Sequence, residues 1–210
     1  ISFDKSFEKI YFSNGFSHPY WGIITCDNTK EISLYYWGLI PFWVKTPEEA
    51  DKIKKFTLNA KSETIYKKPS FNKSIKRKRC LIPSTGFFEW RHENGEKIPY
   101  FIRTKNEIFS MAGVYDNWVN KSTGEIVNTF SIITTKANSM MSFIHNTKKR
   151  MPVILKPENE NLWLDISISD KDIVEIMNDN KVKDMVSYRL YPDFKKYNYD
   201  DPELIKEFII

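Results

Sequence analysis

The strongest constraint on the fold is a pair of hairpin signals in the middle of the chain. Residues 87–91 and 98–103 have the aromatic and branched content of strands, and Asn94-Gly95 joins them. That dipeptide tolerates the positive φ angles of a two-residue turn. Residues 108–115 and 126–135 form a second pair around Ser122-Thr123-Gly124. Residues 31–39 read as a further strand ended by Gly38 and Pro41, residues 153–155 as a buried strand, and residues 185–190 as a late one. Helices interrupt this pattern. Thr46-Pro47-Glu48-Glu49 is a capping box with proline at the first helical position, which predicts a short helix to about Lys55. Ala137, Met140, Met141 and Ile144 share one helix face over residues 136–144. Pro157 opens a helix through Leu164, and residues 170–178 form another. Antiparallel neighbours without βαβ crossovers imply an α+β fold. The expectation is a single domain over residues 1–210, with a mainly antiparallel, curved, barrel-like sheet flanked by short helices.

A chain of 210 residues can bury roughly 70% of its unfolded surface, so no staples are required. No apolar run approaches the ~20 residues needed to cross a bilayer. Asp4, Lys5, Glu8 and Lys9 break any signal-peptide pattern at the start. The two cysteines, Cys26 and Cys80, are too few for a disulfide framework or a zinc knuckle. A soluble, cytoplasmic monomer without metal or cofactor is expected. The net charge of +5 is unevenly spread. Lys67, Lys68, Lys73, Lys76, Arg77, Lys78 and Arg79 crowd residues 67–79 with no acid among them. Such a run is either a solvated basic face or a footprint for a polyanion.

Glu89 stands in the alternating segment Phe87-Phe88-Glu89-Trp90, where Phe87 and Glu89 share one face and Phe88 and Trp90 the other. A carboxylate among three aromatics is expected to titrate high, which suits a general acid or base. The competing reading is an edge glutamate facing water. His145 falls where the helix over residues 136–144 should end. It either complements the helix dipole or forms a proton-transfer couple with Glu89. Asn59, Lys61 and Ser62 place amide, ammonium and hydroxyl donors together, as a phosphate or aldehyde oxygen would require. Alternatively, Lys61-Ser62-Glu63-Thr64 caps a following helical turn. Trp43, in a proline-broken loop, is either a stacking surface for single-stranded bases or a core residue, and His18-Pro19-Tyr20-Trp21 poses the same choice. Cys80 and Cys26 read as structural thiols in apolar surroundings, not as nucleophiles.

The segments Asn59-Ala60-Lys61-Ser62-Glu63-Thr64, Cys80-Leu81-Ile82-Pro83-Ser84-Thr85-Gly86-Phe87-Phe88-Glu89-Trp90, and Ile144-His145-Asn146 leading to Arg150-Met151-Pro152 together resemble the SOS-response-associated peptidase (SRAP) family. Trp37-Gly38-Leu39-Ile40-Pro41-Phe42-Trp43 and Phe130-Ser131-Ile132-Ile133-Thr134-Thr135 fit as well, so the likeness runs over about two thirds of the chain. The resemblance implies a partner, single-stranded DNA carrying abasic sites, and a role in DNA repair and the SOS response. It implies that Asn59 and Lys61 hold the abasic-site region and its phosphate, with Asn59 among the catalytic residues. It further implies that Glu89 and His145 serve proton transfers, that Trp43 and Pro19 lie in the strand groove, and that Thr134 and Arg150 contact the backbone.

Three departures accompany the likeness. Lys61 stands where the family usually has arginine, which replaces a forked donor by a point charge. Thr147-Lys148-Lys149 enlarges the loop before Arg150. The family's nucleophile is a cysteine exposed when the initiator methionine is removed, and it closes a thiazolidine on the abasic-site aldehyde. This chain opens Ile1-Ser2-Phe3, so the expectation is a fragment beginning downstream of the natural start. Two further readings stay open: a noncovalent single-stranded nucleic-acid-binding module, and a peptidase acting on other proteins.

Overall fold

The computed structural model describes residues 10–179, 182 and 184–209. The opening Ile1-Ser2-Phe3 and the charges at Asp4, Lys5, Glu8 and Lys9 lie outside the described residues. In chain order the strands are β1 (Tyr20–Thr25), β2 (Asn28–Trp37), β3 (Asn59–Lys61), β4 (Arg79–Ser84), β5 (Phe87–Glu93), β6 (Glu96–Thr104), β7 (Phe109–Val119), β8 (Ile126–Lys136), β9 (Arg150–Pro152) and β10 (Met185–Arg189). The α-helices are α1 (Pro47–Ile53), α2 (Ser74–Arg77), α3 (Ser139–Ile144), α4 (Pro157–Leu164) and α5 (Asp170–Asn178). None of the described helices is long and apolar enough to cross a membrane.

Five strands form a closed ring in the order β2-β1-β4-β7-β8, with antiparallel neighbours except at the closure. There β2 meets β8 in parallel, Tyr36 opposite Thr129 and Trp37 opposite Phe130. Alternate residues then face the barrel interior or its outside. Ile23, Tyr35, Cys80, Ile82, Met111, Tyr115, Phe130 and Ile132 belong to one apolar cluster. Their neighbours Ile24, Leu81, Ala112, Val114 and Ile133 belong to another, with Trp163 of α4 and Ile173, Ile176 and Met177 of α5. Gly113 is a steric necessity in this ring. A Cβ there would meet Ile82 Cδ1 at 2.6 Å and Cys80 Sγ at 2.8 Å.

The barrel is splayed on one side. β7 and β8 pair from Val119–Ile126 back to Gly113–Ile132 and then separate. β9 and the residues after it enter the gap. Thr134 pairs with Pro152, Val153 N donates to Ile133 O, and Ala112 N donates to Val153 O. On its other edge β8 is lengthened by β3, which lies parallel to it with Asn59 opposite Ile132 and Lys61 opposite Thr134.

A second, three-stranded sheet runs β10-β6-β5. Its β5–β6 hairpin closes through Asn94 (φ 50°) and Gly95 (φ 81°), the positive-φ pair that the dipeptide predicts. Phe88 and Trp90 pack with Phe12, Phe101, Leu190, Phe194 and Leu204 on one face. The opposite face turns Phe87 toward the barrel cluster and carries Glu89 and Arg91 toward α3. Thr46 caps α1 as the sequence predicts, with Glu49 N donating to Thr46 Oγ1, but the Glu49 carboxylate accepts from Lys45 N at 3.1 Å and does not close the capping box. No helix follows Lys61-Ser62-Glu63-Thr64; that stretch is a strand end running into turns.

Candidate functional site

His145 is set by a short helix with strong local anchors. Asn138 caps α3 by accepting from Met141 N at 2.9 Å, and Met141 and Ile144 are buried beneath it. His145 closes the helix through a backbone bond to Met141 O. Its ring Nδ1 then lies 3.1 Å from Glu89 Oε2 and 3.1 Å from Arg150 O. A peptide carbonyl can only accept, so this geometry favours the proton on Nδ1 and leaves the Nε2 lone pair available. Glu89 is largely buried on β5. Burial raises its carboxyl above the ordinary value, opposed by His145 and by the Trp90 N–H on Oε1 at 3.1 Å. A carboxyl and an imidazole thus lie in ion-pair contact, while the hydrogen bond of Nδ1 goes to the Arg150 carbonyl.

Asn146 fixes the distance between these two groups. Its side-chain amide donates to His92 O at 2.7 Å, and its Oδ1 accepts from His92 N at 3.0 Å. A side chain thereby stitches itself to β5 as a neighbouring strand would. Beside it, the Arg91 guanidinium lies 3.9 Å from the centroid of the Phe143 ring and donates to Phe143 O.

Arg150 joins this half of the site to the other. Its carbonyl faces His145, while its guanidinium donates to Thr134 O at 2.6 Å, to Thr134 Oγ1 at 3.2 Å, and to Glu63. Arg150 holds the Glu63 carboxyl below the usual carboxylate range. Ser62 N donates to the same Thr134 carbonyl at 2.9 Å. On β3 the buried Ala60 separates Asn59 and Lys61, which therefore share the exposed face. Ser62 Oγ and Arg150 Nε are buried without a hydrogen-bond partner among the described residues.

Trp43 is 44% exposed, with Nε1 donating to Pro69 O at 3.3 Å. Its neighbour Phe42 is 48% exposed and lies under Lys73 Nζ, 4.8 Å from the ring centroid. Pro19 is half-buried and its carbonyl accepts from Trp37 N at 2.9 Å. Among the described residues no hydrogen bond or ring contact ties Trp43 or Pro19 to the Glu89–His145 pair.

The basic run proves to be of mixed use. Arg79 is fully buried and donates to the carbonyls of Trp163, Ile75, Lys76 and Asp165, so it serves the fold. Lys78 pairs with Asp116 at 2.7 Å, and Lys76 lies 3.7 Å from Asp170. Lys67, Lys68, Lys73 and Arg77 remain exposed. Cys80 is fully buried, with its thiol pushed well up. Cys26 is half-buried rather than enclosed, with Sγ 3.2 Å from Arg77 O. No group of His, Cys, Asp or Glu suited to a metal occurs among the described residues.

Sequence reasoning did not single out Glu63, Asn146, Arg91 or Phe143 as site residues. For Arg91 a signal existed: it stands two residues beyond Glu89 in a strand, hence on the same face. Asn146 and Glu63 lie inside recognised motifs, but their partners are 54 and 87 residues away, beyond local pattern.

Comparison with known proteins bears on this constellation. The family model described as SOS response associated peptidase (SRAP) matches residues 11–196. The abasic site processing protein YoqW of Bacillus subtilis is 37% identical over 187 residues, which are 88% of this chain and 80% of that protein. The abasic site processing protein HMCES of Xenopus tropicalis is 32% identical over 172 residues, 72% of this chain and 50% of that one. A crystal structure of a Bacteroides thetaiotaomicron protein superposes with a TM-score of 0.90 at 47% identity, covering 94% of this chain and 84% of the other. With a family model that spans most of the chain and relatives above 30% identity, the chain belongs to the SOS response associated peptidase family.

Proposed function

We propose that this protein recognises abasic sites in single-stranded DNA and assists their covalent capture. The observation that carries the reading is the junction at Arg150, where a carboxyl–imidazole pair and a donor-rich rim are held by one residue. The rim of Asn59, Lys61, Ser62 and Thr134 supplies donors for the sugar–phosphate, and Arg150 orders them. Glu89 and His145 move protons at the aldehyde oxygen. The names of the relatives, which are abasic site processing proteins, support the same substrate. In this reading Trp43 and Pro19 line the strand groove, and the protein acts as a cytoplasmic monomer in a single domain.

Capture requires an amino-terminal cysteine. Its amine and the aldehyde lose water to form an imine, and the thiol adds across that C=N bond to close a thiazolidine, with no change in oxidation state. Neither Cys26 nor Cys80 suits this step, given their contacts and burial. The covalent arm is tested on an extended chain engineered to begin Met-Cys, in which removal of the methionine would be the peptidase reaction.

Titrating the 210-residue chain with intact and abasic single-stranded oligonucleotides tests recognition. A preference for the abasic strand of at least about tenfold, weakening with salt, is expected. Equal affinity for both strands would overturn the proposal. For the extended chain, an adduct that survives denaturation is the expected product.

A further inference from the structure

We infer that Phe143, held under the Arg91 guanidinium, is a stacking platform for the nucleobase next to the abasic position; this rests on the function proposed above. α3 and the turn that follows it are fastened to β5 at three points: Phe143 to Arg91, His145 to Glu89, and Asn146 to His92. Glu89 and Arg91 are two residues apart on one strand, so their side chains emerge from the same face about 7 Å apart. The ring–guanidinium pair therefore stands beside the carboxyl–imidazole pair, within one nucleotide step of an extended strand.

The exposure pattern separates this arrangement from simple packing. Met141 and Ile144 of the same helix are buried, yet Phe143 is 55% exposed. Its ring is nevertheless ordered, because Arg91 covers it at 3.9 Å and donates to its carbonyl. Arg91 is itself steadied by Glu93, 3.3 Å from Nη2. An aromatic surface fixed before a base arrives loses little rotamer freedom on stacking. The rim also has the right charge for a phosphate backbone. Lys148 and Lys149 are exposed on the adjoining loop, whose backbone is fixed by Lys149 N donating to His145 O at 2.8 Å. Exposed aromatics beside cations hold single strands because every base offers a face. An abasic nucleotide has no base of its own to stack, so holding its neighbour keeps the vacant sugar in register with Glu89 and His145.

Affinities of wild type, Phe143→Ala and Phe143→Leu should be compared on three oligonucleotides. One carries a single abasic site, and the others lack in addition the base on its 5′ or 3′ side. Both variants should bind the single-site strand about tenfold more weakly. That penalty should vanish when one particular neighbouring base is also missing, while Phe143→Trp keeps wild-type affinity. The leucine variant retains apolar packing under Arg91, so a loss seen with it reports the ring rather than the fold. A loss below about twofold, or one independent of both neighbouring bases, would overturn the inference. Failure of wild type to prefer any abasic strand would instead sink the underlying function, a distinguishable result.

Discussion

Two arginines, one enclosed and one half-buried, mark opposite uses of the same side chain. Arg79, on β4, is fully enclosed and spends its donors on four backbone carbonyls, none of them from a carboxylate. Arg150, on β9, faces a carboxylate, a hydroxyl and a carbonyl, and keeps one nitrogen without a partner among the described residues. The first arrangement is saturated: it closes the ends of α2 and α4 against the barrel and offers nothing to a ligand. The second is incomplete. The saturated arginine serves the architecture, whereas the unspent donor of Arg150 stands beside the candidate site.

The largest expected effect lies on the Arg79 side. Arg79→Ala strands four carbonyls and opens a cavity, and should lower stability by about 3–5 kcal/mol in urea unfolding. Arg79→Lys should rescue little, since one ammonium cannot span carbonyls on two helices. A loss under about 1 kcal/mol would erase the contrast. On the Arg150 side the chemistry should suffer more than the fold. In the extended chain Glu89→Gln or His145→Ala should slow adduct formation on the order of a hundredfold or more with the melting temperature nearly unchanged, measured by single-turnover capture. Arg150→Lys should weaken binding to abasic strands about tenfold while costing about 1 kcal/mol of stability, because the fork on Glu63 and Thr134 is lost but the charge remains. Asn146→Ala should cost about 1 kcal/mol and slow capture by misplacing His145, although the Asn146 side chain hydrogen-bonds to the His92 backbone rather than to Glu89 or the His145 ring.

The smallest effect is in pH. Burial raises the folded-state Glu89 carboxyl above its ordinary value near 4.5, so the native state binds more protons than the unfolded chain in that window. Stability should therefore fall as pH rises from about 4.5 through the raised value. Glu63 has the opposite sign: Arg150 lowers it, so its contribution is present above the ordinary carboxyl range and fades as pH drops through the lowered value. Glu89→Gln should remove the first slope and leave the second, as read by denaturation across pH 3–8.

Those two carboxylates also show what the sequence made legible. Strand alternation led to a raised carboxyl expected at Glu89, and burial does raise it, although Phe88 and Trp90 pack on the opposite face; Asn94-Gly95 announced the hairpin. The pairing of Glu89 with His145 stood in the sequence as one of two alternatives, and only the fold brings the two within 3.1 Å, beside the long-range Asn146 clamp. β4 escaped notice for a related reason. Cys80, Leu81 and Ile82 are all buried, since barrel interior and outer helices claim alternate residues, and a strand covered on both faces has no polar rhythm to read. Barrel closure rests on a parallel contact between Trp37 and Phe130, which no local pattern encodes. The charge run misled for the converse reason. Arg79 looked like its solvated neighbours, and only the helices packed over it reveal that it is interior.

The carbonyl at position 150 has an evolutionary consequence. Because the ring of His145 is steadied by main-chain oxygen, every residue type that could occupy position 150 would offer the same acceptor. Mutation there can retune the grip on Glu63 and Thr134 without disturbing the imidazole. Under the proposed function, a change of side chain at 150 would alter the grip on the strand and leave the carbonyl contact of His145 in place.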